Sequence, residues 1–441
     1  MGSTFARKLV PLLLAAIAGG AWADAAPEPK RIAWVGATVH DGTEGAADAV
    51  RVLVTRGDRI EAVRPAEGFR PERDMAVVDL HGKFVIPGLI NTHVHLATAA
   101  VPDAARQYLR REIYSGVTAL RDMAGDARLL AELKREADFD EIASPDIEYA
   151  ALMAGPEFFS SPKTQQAARG RVAGEVPWMQ AVDERTDLAL AVARAKGVGA
   201  SGVKVYADVS APLLAAIARQ AHRQGLQVWS HAAVFPARPS DAVDAGVDVI
   251  SHACMLGYET SDPMPRRASH PPVPVDVGQL ARHGDRVDRL LARMKARGTI
   301  LDATLFVYFS DDSGIDCSYA VAASLAARAH RAGVVISAGT DDEPGDYPGD
   351  FSALLKELQL LHDDAGMSTS QVLRAATLDG ARAIGREKDM GTLEAGKLAN
   401  FVVLDEDPLR DIRRLDTVST TVRGGIAYER SAYQAAAPAA R

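Results

Sequence analysis

The chain has 441 residues and a formal net charge of −8, with 47% hydrophobic and 24% charged residues. These values are ordinary for a globular protein, so they exclude a disordered chain, a collagen-like repeat and a disulfide-rich scaffold. The acidic balance argues against a nucleic-acid-binding protein, which would carry a basic surface. The length suits one large domain with additions, or two to three domains of ordinary size.

The first 23 residues have the pattern of an export signal. Arg7 and Lys8 precede an apolar stretch of about 13 residues, and Ala21-Trp22-Ala23 supplies the small residues that a signal peptidase recognises. The apolar stretch is too short to span a bilayer, which takes about 20 residues. An uncleaved anchor and an irregular N-terminal helix are the alternatives. We predict a signal peptide over residues 1–23 and an exported protein, periplasmic or secreted, with no membrane span in its mature form.

Residues 24–86 and 390–441 have the pattern of short β-strands separated by turns. The first stretch contains Ile32 to Val39, and the second contains Phe401 to Leu404 followed by a hairpin around Gly424-Gly425. Neither stretch is large enough to bury a core of its own. We therefore predict that the N- and C-terminal flanks join in one small composite β-sandwich.

Residues 87–389 alternate between apolar, strand-length runs and Ala-rich amphipathic stretches. Apolar runs without alternation are typical of parallel strands that are buried on both faces. Eight strand–helix units in about 300 residues predict a (β/α)8 TIM barrel, so the predicted fold class is α/β with a barrel and a flanking sandwich. The eight predicted strands are Val85–Leu96, Val117–Met123, Ile147–Ala154, Val203–Ala207, Gln227–Ala232, Val247–Ala253, Ile300–Phe306 and Val334–Thr340.

His93 and His95 close the first of these runs. Residues two apart on a strand point to the same face, so we expect both imidazoles inside the barrel while Val94 faces the other way. Imidazole is the commonest protein ligand for zinc and similar metals. The preceding residues Ile86 to Ile90 are too apolar for an exposed strand, which favours metal binding over a pair of surface histidines.

Four further candidate ligands lie in or just after later runs. Lys204 is inside the fourth run, where a charged amine is costly unless it is paired or neutral, and the alternative is an edge-strand lysine that reaches solvent. His231 ends the fifth run and His252 the sixth, and a hydrogen-bonded core histidine is the alternative for each. Asp341 follows the eighth run, where a helix N-cap is the alternative.

All six metal-competent residues thus fall at the carboxyl ends of predicted strands, where barrel enzymes have their active sites. Random placement would rarely achieve this, so we interpret the six as one metal site. The other histidines fall in flanks, helices or loops and are expected to be solvated: His40, His81, His222, His270, His283, His330 and His362.

This set of residues resembles the metal site of the amidohydrolase superfamily, and the resemblance covers nearly the whole chain after the predicted signal. It includes Ile86 to Ile90, Ala338 to Asp341, Ala375-Ala376-Thr377 and Gly391 to Ala399. Within the superfamily, the chain is most similar to imidazolonepropionase-like proteins and to exported Xaa-Pro-type dipeptidases.

The resemblance implies a metal-dependent hydrolase of an amide C–N bond, such as that of a dipeptide or an N-acyl amino acid. It implies two divalent metal ions, most simply zinc, with a bridging hydroxide as nucleophile and Asp341 as proton shuttle. One ion would be held by His93, His95 and Asp341, and the other by His231 and His252. Lys204, carboxylated by CO2, would bridge the two ions.

Two alternatives remain open at this point. A single-metal member would hydrolyse a cyclic amide, a lactone or an amidine, and such members typically lack the bridging lysine, so Lys204 favours two metals. An exported metal-containing binding protein without turnover is the alternative from another class. It has no need of a proton-shuttling aspartate, so Asp341 argues against it.

We expect the substrate of this enzyme to be a small molecule that reaches the mouth of the barrel. The sequence leaves open whether the protein forms a homo-oligomer. Candidate substrate contacts at the mouth are Arg121, Tyr206, Tyr258 and Tyr308. Arg121 could bind a substrate carboxylate, but an ion pair with Asp122 that supports the barrel is an equal alternative.

Cys254 and Cys317 are the two cysteines of the chain. An oxidising compartment allows them to pair, although nothing local indicates a disulfide. Two buried free thiols are the equal alternative.

Overall fold

A computed structural model describes residues 30–43, 49–265, 273–310 and 317–434. The predicted export signal, residues 1–23, lies outside the described residues. In the described ranges, none of the helices is both long enough and apolar enough to cross a bilayer.

The first flank folds into five strands. They are β1 (Arg31–Val39), β2 (Ala49–Arg56), β3 (Arg59–Pro65), β4 (Met75–Asp79) and β5 (Phe84–Pro87). β1, β2 and β3 pair antiparallel in succession, whereas β4 and β5 each pair with β1 in parallel. The register of β1 shifts between Trp34 and Ala37. Because such an irregularity bends a strand, the two halves of β1 can take different partners.

Eight parallel strands follow and form the barrel, with two short strands, β9 and β10, inserted after β8. The strands of this region are β6 (Leu89–Val94), β7 (Val117–Asp122), β8 (Asp146–Ala154), β9 (Glu175–Val176), β10 (Met179–Ala181), β11 (Gly202–Val205), β12 (Gln227–His231), β13 (Val249–Ser251), β14 (Ile300–Asp302) and β15 (Ile336–Ser337). Thr92 N donates to Ala338 O (2.9 Å) and Asp341 N to His93 O (2.9 Å), so the chain after β15 meets β6. The barrel is therefore nearly closed, which confirms the predicted (β/α)8 architecture.

The second flank adds three strands, β16 (Phe401–Leu404), β17 (Val418–Arg423) and β18 (Ile426–Glu429). β16 pairs antiparallel with β5, with Phe401 opposite Pro87, so both flanks share one eight-stranded sheet. Trp34 of β1 packs edge-on against Phe401 with ring centroids 5.1 Å apart. The prediction that the two flanks build one β unit is confirmed, and its hydrogen bonding is that of a single, mainly antiparallel sheet.

Helices connect the barrel strands and cover the outer face of the barrel. The described α-helices are α1 (Pro102–Tyr114), α2 (Ala127–Asp138), α3 (Pro162–Ala168), α4 (Leu188–Gly197), α5 (Ala211–Arg223), α6 (Pro239–Ala245), α7 (Val277–Arg282), α8 (Gly284–Arg297), α9 (Leu305–Ser310), α10 (Tyr319–Ala332), α11 (Leu354–Asp363), α12 (Thr369–Ala375) and α13 (Leu378–Ala383). In α5, the Ser210 side chain caps the first turn by accepting from Leu213 N, and Leu214, Ile217 and Ala221 are buried on one face.

Every predicted barrel strand differs from the observed one by at least one residue at an end, and two of the differences have an identifiable cause. The run Val85–Leu96 is divided at Gly88 between β5 and β6, and a Cβ at Gly88 would overlap the side chain of Thr118. The run Ile300–Phe306 ends at Asp302, and α9 begins at Leu305. The cause is a contact distant in sequence. Glu357 Oε2 of α11 accepts from Phe306 N (2.6 Å) and so supplies a partner for a free N–H of the first helical turn.

Candidate active site

The end of β6 brings two imidazoles against one carboxylate. His93 Nε2 lies 3.2 Å and His95 Nε2 lies 3.0 Å from Asp341 Oδ1. The ligand atoms of these three residues all lie within 4.8 Å of one another, a spacing that could hold a metal ion. His93 is fully buried, whereas the Asp341 side chain keeps 17% of its surface exposed. The group therefore opens to solvent at the Asp341 side.

His231 and His252 lie beside this group. Their ring centroids are 4.7 Å apart, and that of His252 is 5.1 Å from that of His93. His252 Nδ1 lies 2.9 Å from Thr304 Oγ1 and 3.7 Å from Asp341 Oδ2. The four histidines that the sequence predicts as ligands thus lie in one group, and three of them are within 3.7 Å of a carboxylate oxygen of Asp341.

Two of these residues have a strained backbone. His252 has a φ of 76° and Asp341 a φ of 59°, in the left-handed region that non-glycine residues rarely adopt. Each such residue costs of order 1–3 kcal/mol and persists only where the surrounding structure imposes it, most often at functional sites. The strain thus falls on two candidate ligands, at the points where the chain turns out of the barrel.

Lys204 is fully buried in β11, and its amine donates to Ser251 Oγ (3.1 Å). Burial lowers the pKa of Lys204 to about 7, because the nearby charge of Asp302 only partly offsets the loss of solvation and Arg121 adds to the lowering. A large fraction of the amine is therefore neutral at neutral pH. The alternative of an edge-strand lysine that reaches solvent is wrong.

Asp302 is a site residue that the sequence analysis missed. It is fully buried at the end of β14, where Oδ2 lies 2.7 Å from His93 Nδ1 and accepts from Ser251 Oγ (3.1 Å) and from Arg121 (3.3 Å). Its other oxygen accepts from Thr92 Oγ1 (2.9 Å). The available signal was a lone aspartate directly after two apolar strand residues, Ile300 and Leu301.

Gly339 leaves the space in which Asp302 and His93 meet. A Cβ at residue 339 would overlap Asp302 Oδ1 and would lie 2.6 Å from His93 Cβ. The glycine before Thr340-Asp341 is therefore required by the close approach of β6 and β14 to this turn.

The protonation states of the site follow from burial and from the neighbouring charges. Burial, together with the charge of Lys204, holds the pKa of His231 well below its usual value. Burial also lowers the pKa of His252 to about 3. For His95, burial is outweighed by the hydrogen bond and charge of Asp341, so its pKa is raised. Burial would raise the pKa of Asp341, but His93 and its neighbours hold it well below its usual value. The shifts of His231, His252 and Asp341 thus favour the forms that bind metals, whereas His95 gives up a more tightly held proton when a metal binds.

The surroundings of the two His93 ring nitrogens show whether these residues suit a bound cation. Asp302 is ionised because its neighbours hold its pKa below the usual value, so it only accepts hydrogen bonds and takes the Nδ1 proton of His93. With the proton at Nδ1 committed to Asp302, the atom left to bind a cation is Nε2, which is buried and has no hydrogen-bond partner among the described residues. The nearest polar group is Asp341 Oδ1, which is also an acceptor. Two acceptors that face each other at 3.2 Å fit a divalent cation between them.

Two of the predicted substrate contacts are buried and have partners within the protein. Arg121 is fully buried in the barrel interior rather than at its mouth, and its donors go to Thr92 O (2.6 Å), Ala383 O (2.8 Å) and Asp302. Its partner is thus Asp302 rather than Asp122, because neighbouring residues on a strand point to opposite faces. Tyr258 is 1% exposed, and its hydroxyl donates to Val273 O (2.5 Å).

The other two predicted substrate contacts are Tyr206, beside His231, and Tyr308, on α9. Tyr206 packs against His231 with ring centroids 4.4 Å apart, and its hydroxyl lies 3.5 Å from His95 Nε2. Burial raises the pKa of Tyr206 well above its usual value, so the phenol stays protonated and can donate. Tyr308 is half-buried on α9. Tyr206 is therefore the predicted contact that borders the histidine cluster.

A nearly closed parallel barrel that gathers four imidazoles, a lysine and carboxylates at the carboxyl ends of its strands defines a (β/α)8 enzyme. Residues 84–427 match the family described as Amidohydrolase family. The chain belongs to the amidohydrolase family. This membership confirms the predicted class, a hydrolase that acts on carbon–nitrogen bonds of small molecules.

Two relatives among curated proteins illustrate the similarity in sequence. The chain is 24% identical to the imidazolonepropionase of Symbiobacterium thermophilum over 377 residues, which are 80% of this chain and 83% of that protein. It is 36% identical to the N-substituted formamide deformylase of Arthrobacter pascens over 110 residues, which are 23% of this chain and 20% of that protein. Several such matches are local: that to the imidazolonepropionase of Shouchella clausii spans 24% of the relative.

Solved structures share the fold at lower identity. A Xaa-Pro dipeptidase with bound methionine superposes with a TM-score of 0.71 at 20% identity, covering 90% of this chain and 100% of that one. The ochratoxinase of A. niger gives a TM-score of 0.71 at 19% identity and covers 94% of this chain and 99% of that one. These similarities show that the barrel and its flanking sheet form one known architecture.

Proposed function

We propose that the protein hydrolyses the amide bond of a small substrate, such as a dipeptide or an N-acyl amino acid, with two divalent cations, most simply zinc. One observation carries the proposal. A fully buried lysine of lowered pKa lies at the same end of the barrel as the group of His93, His95 and Asp341 and the two histidines beside that group. His93, His95 and Asp341 would hold one cation and His231 and His252 the other, with Lys204, as a carbamate, between them.

When bound, such cations supply an acidified water as nucleophile and a polarised substrate carbonyl. The protein supplies the proton transfers and the orientation. Asp341 is ionised and borders the open side of the site, so it takes the proton of the attacking water and returns it to the leaving nitrogen. The protonated hydroxyl of Tyr206 is placed to donate a hydrogen bond to the substrate.

A one-metal hydrolase of a cyclic amide, a lactone or an amidine is the second candidate. His93, His95 and Asp341 alone form a compact group of three ligands. Relatives named imidazolonepropionase also align over most of the chain. In that case Lys204 would stay unmodified, and about one metal would bind each chain.

The two candidates differ in metal content and in substrate. Purified protein would be supplied with zinc and bicarbonate, its metal content measured, and its hydrolysis of dipeptides, N-acyl amino acids and cyclic amides compared. About two equivalents of metal and cleavage of a linear amide support the two-metal proposal. About one equivalent with unmodified Lys204 contradicts it, as does the absence of any amide hydrolysis by fully loaded protein.

We also propose that the protein is exported. The N-terminal pattern around Arg7 and Lys8 supports this, as does a disulfide between Cys254 and Cys317, whose Cα atoms are 6.1 Å apart. Disulfides persist in oxidising compartments and are rare in the cytosol. Cell fractionation combined with N-terminal sequencing tests the proposal, and a cytosolic protein that retains residue 1 would contradict it.

A further inference from the structure

Ser251 connects the candidate bridging lysine to the buried aspartate. Its hydroxyl oxygen accepts from Lys204 Nζ (3.1 Å) and its proton goes to Asp302 Oδ2 (3.1 Å). All three residues have no exposed surface. They lie on three different barrel strands, β11, β13 and β14, so the connection exists only in the folded barrel.

The direction of these hydrogen bonds is fixed by Asp302. The Ser251 hydroxyl has a single proton, and it donates that proton to Asp302 Oδ2 (3.1 Å). Asp302 is in turn held in place by His93 and Arg121, which both contact its Oδ2. The Ser251 oxygen therefore faces Lys204 with its lone pairs, as an acceptor that cannot turn round to donate without breaking its bond to Asp302.

The number of donors at Lys204 matches one form of the side chain. Across the part of the chain that the structure describes, the Lys204 amine makes no hydrogen bond other than that to Ser251. An ammonium group has three N–H donors and a neutral amine has two, so in this fully buried position neither form finds an acceptor for every donor among the described residues. A lysine carbamate keeps a single N–H, and Ser251 is its single acceptor.

We propose that Ser251 is the positioning residue for carboxylation of Lys204, holding the remaining N–H of the carbamate while Asp302 fixes the orientation of the Ser251 hydroxyl. The inference rests on the proposed two-metal function. In the reaction, the lone pair of the neutral amine forms a bond to the carbon of CO2, and one C=O electron pair moves onto oxygen. One amine proton leaves to water, so the product has one N–H and one carboxylate group.

The test compares two serine substitutions of equal size. Ser251→Ala removes the acceptor of Lys204. Ser337→Ala removes a hydroxyl that is equally buried, lies on β15 and contacts Thr92 rather than Lys204. Each protein is loaded with zinc and isotopically labelled bicarbonate, and the carbamate is measured by carbon NMR together with the metal content. Loss of one buried hydrogen bond is expected to weaken the carbamate about tenfold in Ser251→Ala.

Loss of the carbamate signal and of one metal equivalent in Ser251→Ala, with both kept in Ser337→Ala, supports the inference. A wild-type carbamate signal in Ser251→Ala overturns it, and so does an equal loss in both variants. If Ser251→Ala does not fold, the carbamate signal and the metal content are measured in Ser251→Cys instead. A thiol has nearly the shape of the hydroxyl but is a weak hydrogen-bond acceptor, so the same losses are expected. A wild-type protein that binds no metal contradicts the proposed function itself and is thereby distinguished from these outcomes.

Discussion

His93 Nδ1 lies 2.7 Å from Asp302 Oδ2, and neither side chain has any exposed surface. The two residues lie on β6 and β14, the first and the seventh strand of the barrel. The contact fixes the tautomer of His93, because the proton at Nδ1 leaves Nε2 free to bind a cation. In metal sites, a carboxylate that orients a ligand imidazole in this way contributes substantially to metal affinity.

Asp302→Ala is therefore expected to weaken metal binding by about 10–100-fold, because His93 loses the partner that orients it. The same substitution leaves Arg121 buried without a carboxylate, so a loss of about 3–5 kcal/mol in the free energy of unfolding is also expected. Asp379→Ala is the matched control, because Asp379 pairs with Arg374 and Arg382 away from the candidate ligands. Metal titration should separate the variants, and equal affinities would contradict the role of Asp302.

Asp341→Asn tests the proton transfer. The amide keeps an oxygen that can bind metal but cannot take up a proton, so we expect kcat to fall by about a hundredfold to ten-thousandfold. Metal content must be measured on the same samples and should match that of the wild type. Full activity in a metal-loaded Asp341→Asn protein would remove the proposed role.

Gly339→Ala tests the packing around Asp302. The added Cβ would overlap Asp302 Oδ1 and press on His93, so we expect lower stability and weaker metal binding. Gly197 of α4 is the control, since a Cβ there meets nothing within 4 Å. Gly197→Ala is expected to be neutral or to stabilise the protein by up to about 1 kcal/mol. The unfolding temperatures of the two variants measure this difference. Equal unfolding temperatures would contradict the prediction.

The raised pKa of Glu357 predicts that the stability of the protein depends on pH. Burial raises its pKa to about 8 from the ordinary 4.5, so the folded protein holds this proton more tightly than the unfolded chain does. The contribution to stability is fully present below about pH 4.5 and is lost as the pH rises through about 8. The slope is at most about 1.4 kcal/mol per pH unit.

In Glu357→Gln the residue does not titrate, so the stability of the wild type relative to this variant should fall over the same pH range and level off above it. Denaturant unfolding at a series of pH values measures the difference. A constant difference across the range would show that Glu357 is ionised in the folded protein.

Removal of the Cys254–Cys317 disulfide is expected to cost about 2–5 kcal/mol, because the cross-link closes a long loop in the unfolded chain. The double variant Cys254→Ala/Cys317→Ala and reduced wild-type protein should both unfold at lower denaturant concentration than oxidised wild type. Equal unfolding midpoints for oxidised and reduced protein would argue against a disulfide in solution.

The sequence predicted the barrel and the placement of most candidate ligands because both depend on local patterns. Apolar runs locate buried parallel strands, and a residue such as His231 at the end of a run lies at the carboxyl end of a barrel. No relation between distant positions was needed to place His231, His252 or Asp341 at that end.

Local patterns could not predict the role of Asp302, the direction of the Arg121 side chain or the start of α9. Each of these depends on a partner that is distant in the sequence. Asp302 follows only two strand residues, and its role appears when β6 and β13 lie beside it. Arg121 was placed at the mouth because it is near the end of β7, but its side chain points inward to Asp302. The start of α9 depends on Glu357, on a helix that comes much later in the chain.

The pairing of β5 with β16 sets Pro87 opposite Phe401, although the entire barrel lies between them in the chain. This is a contact of very high sequence separation, and such contacts slow folding because a long loop must be closed before they form. Until then, β5 has an open edge, and open edges can pair with other chains. The last step of folding and the step most exposed to aggregation are therefore expected to be the same event, the arrival of the C-terminal strands at β5.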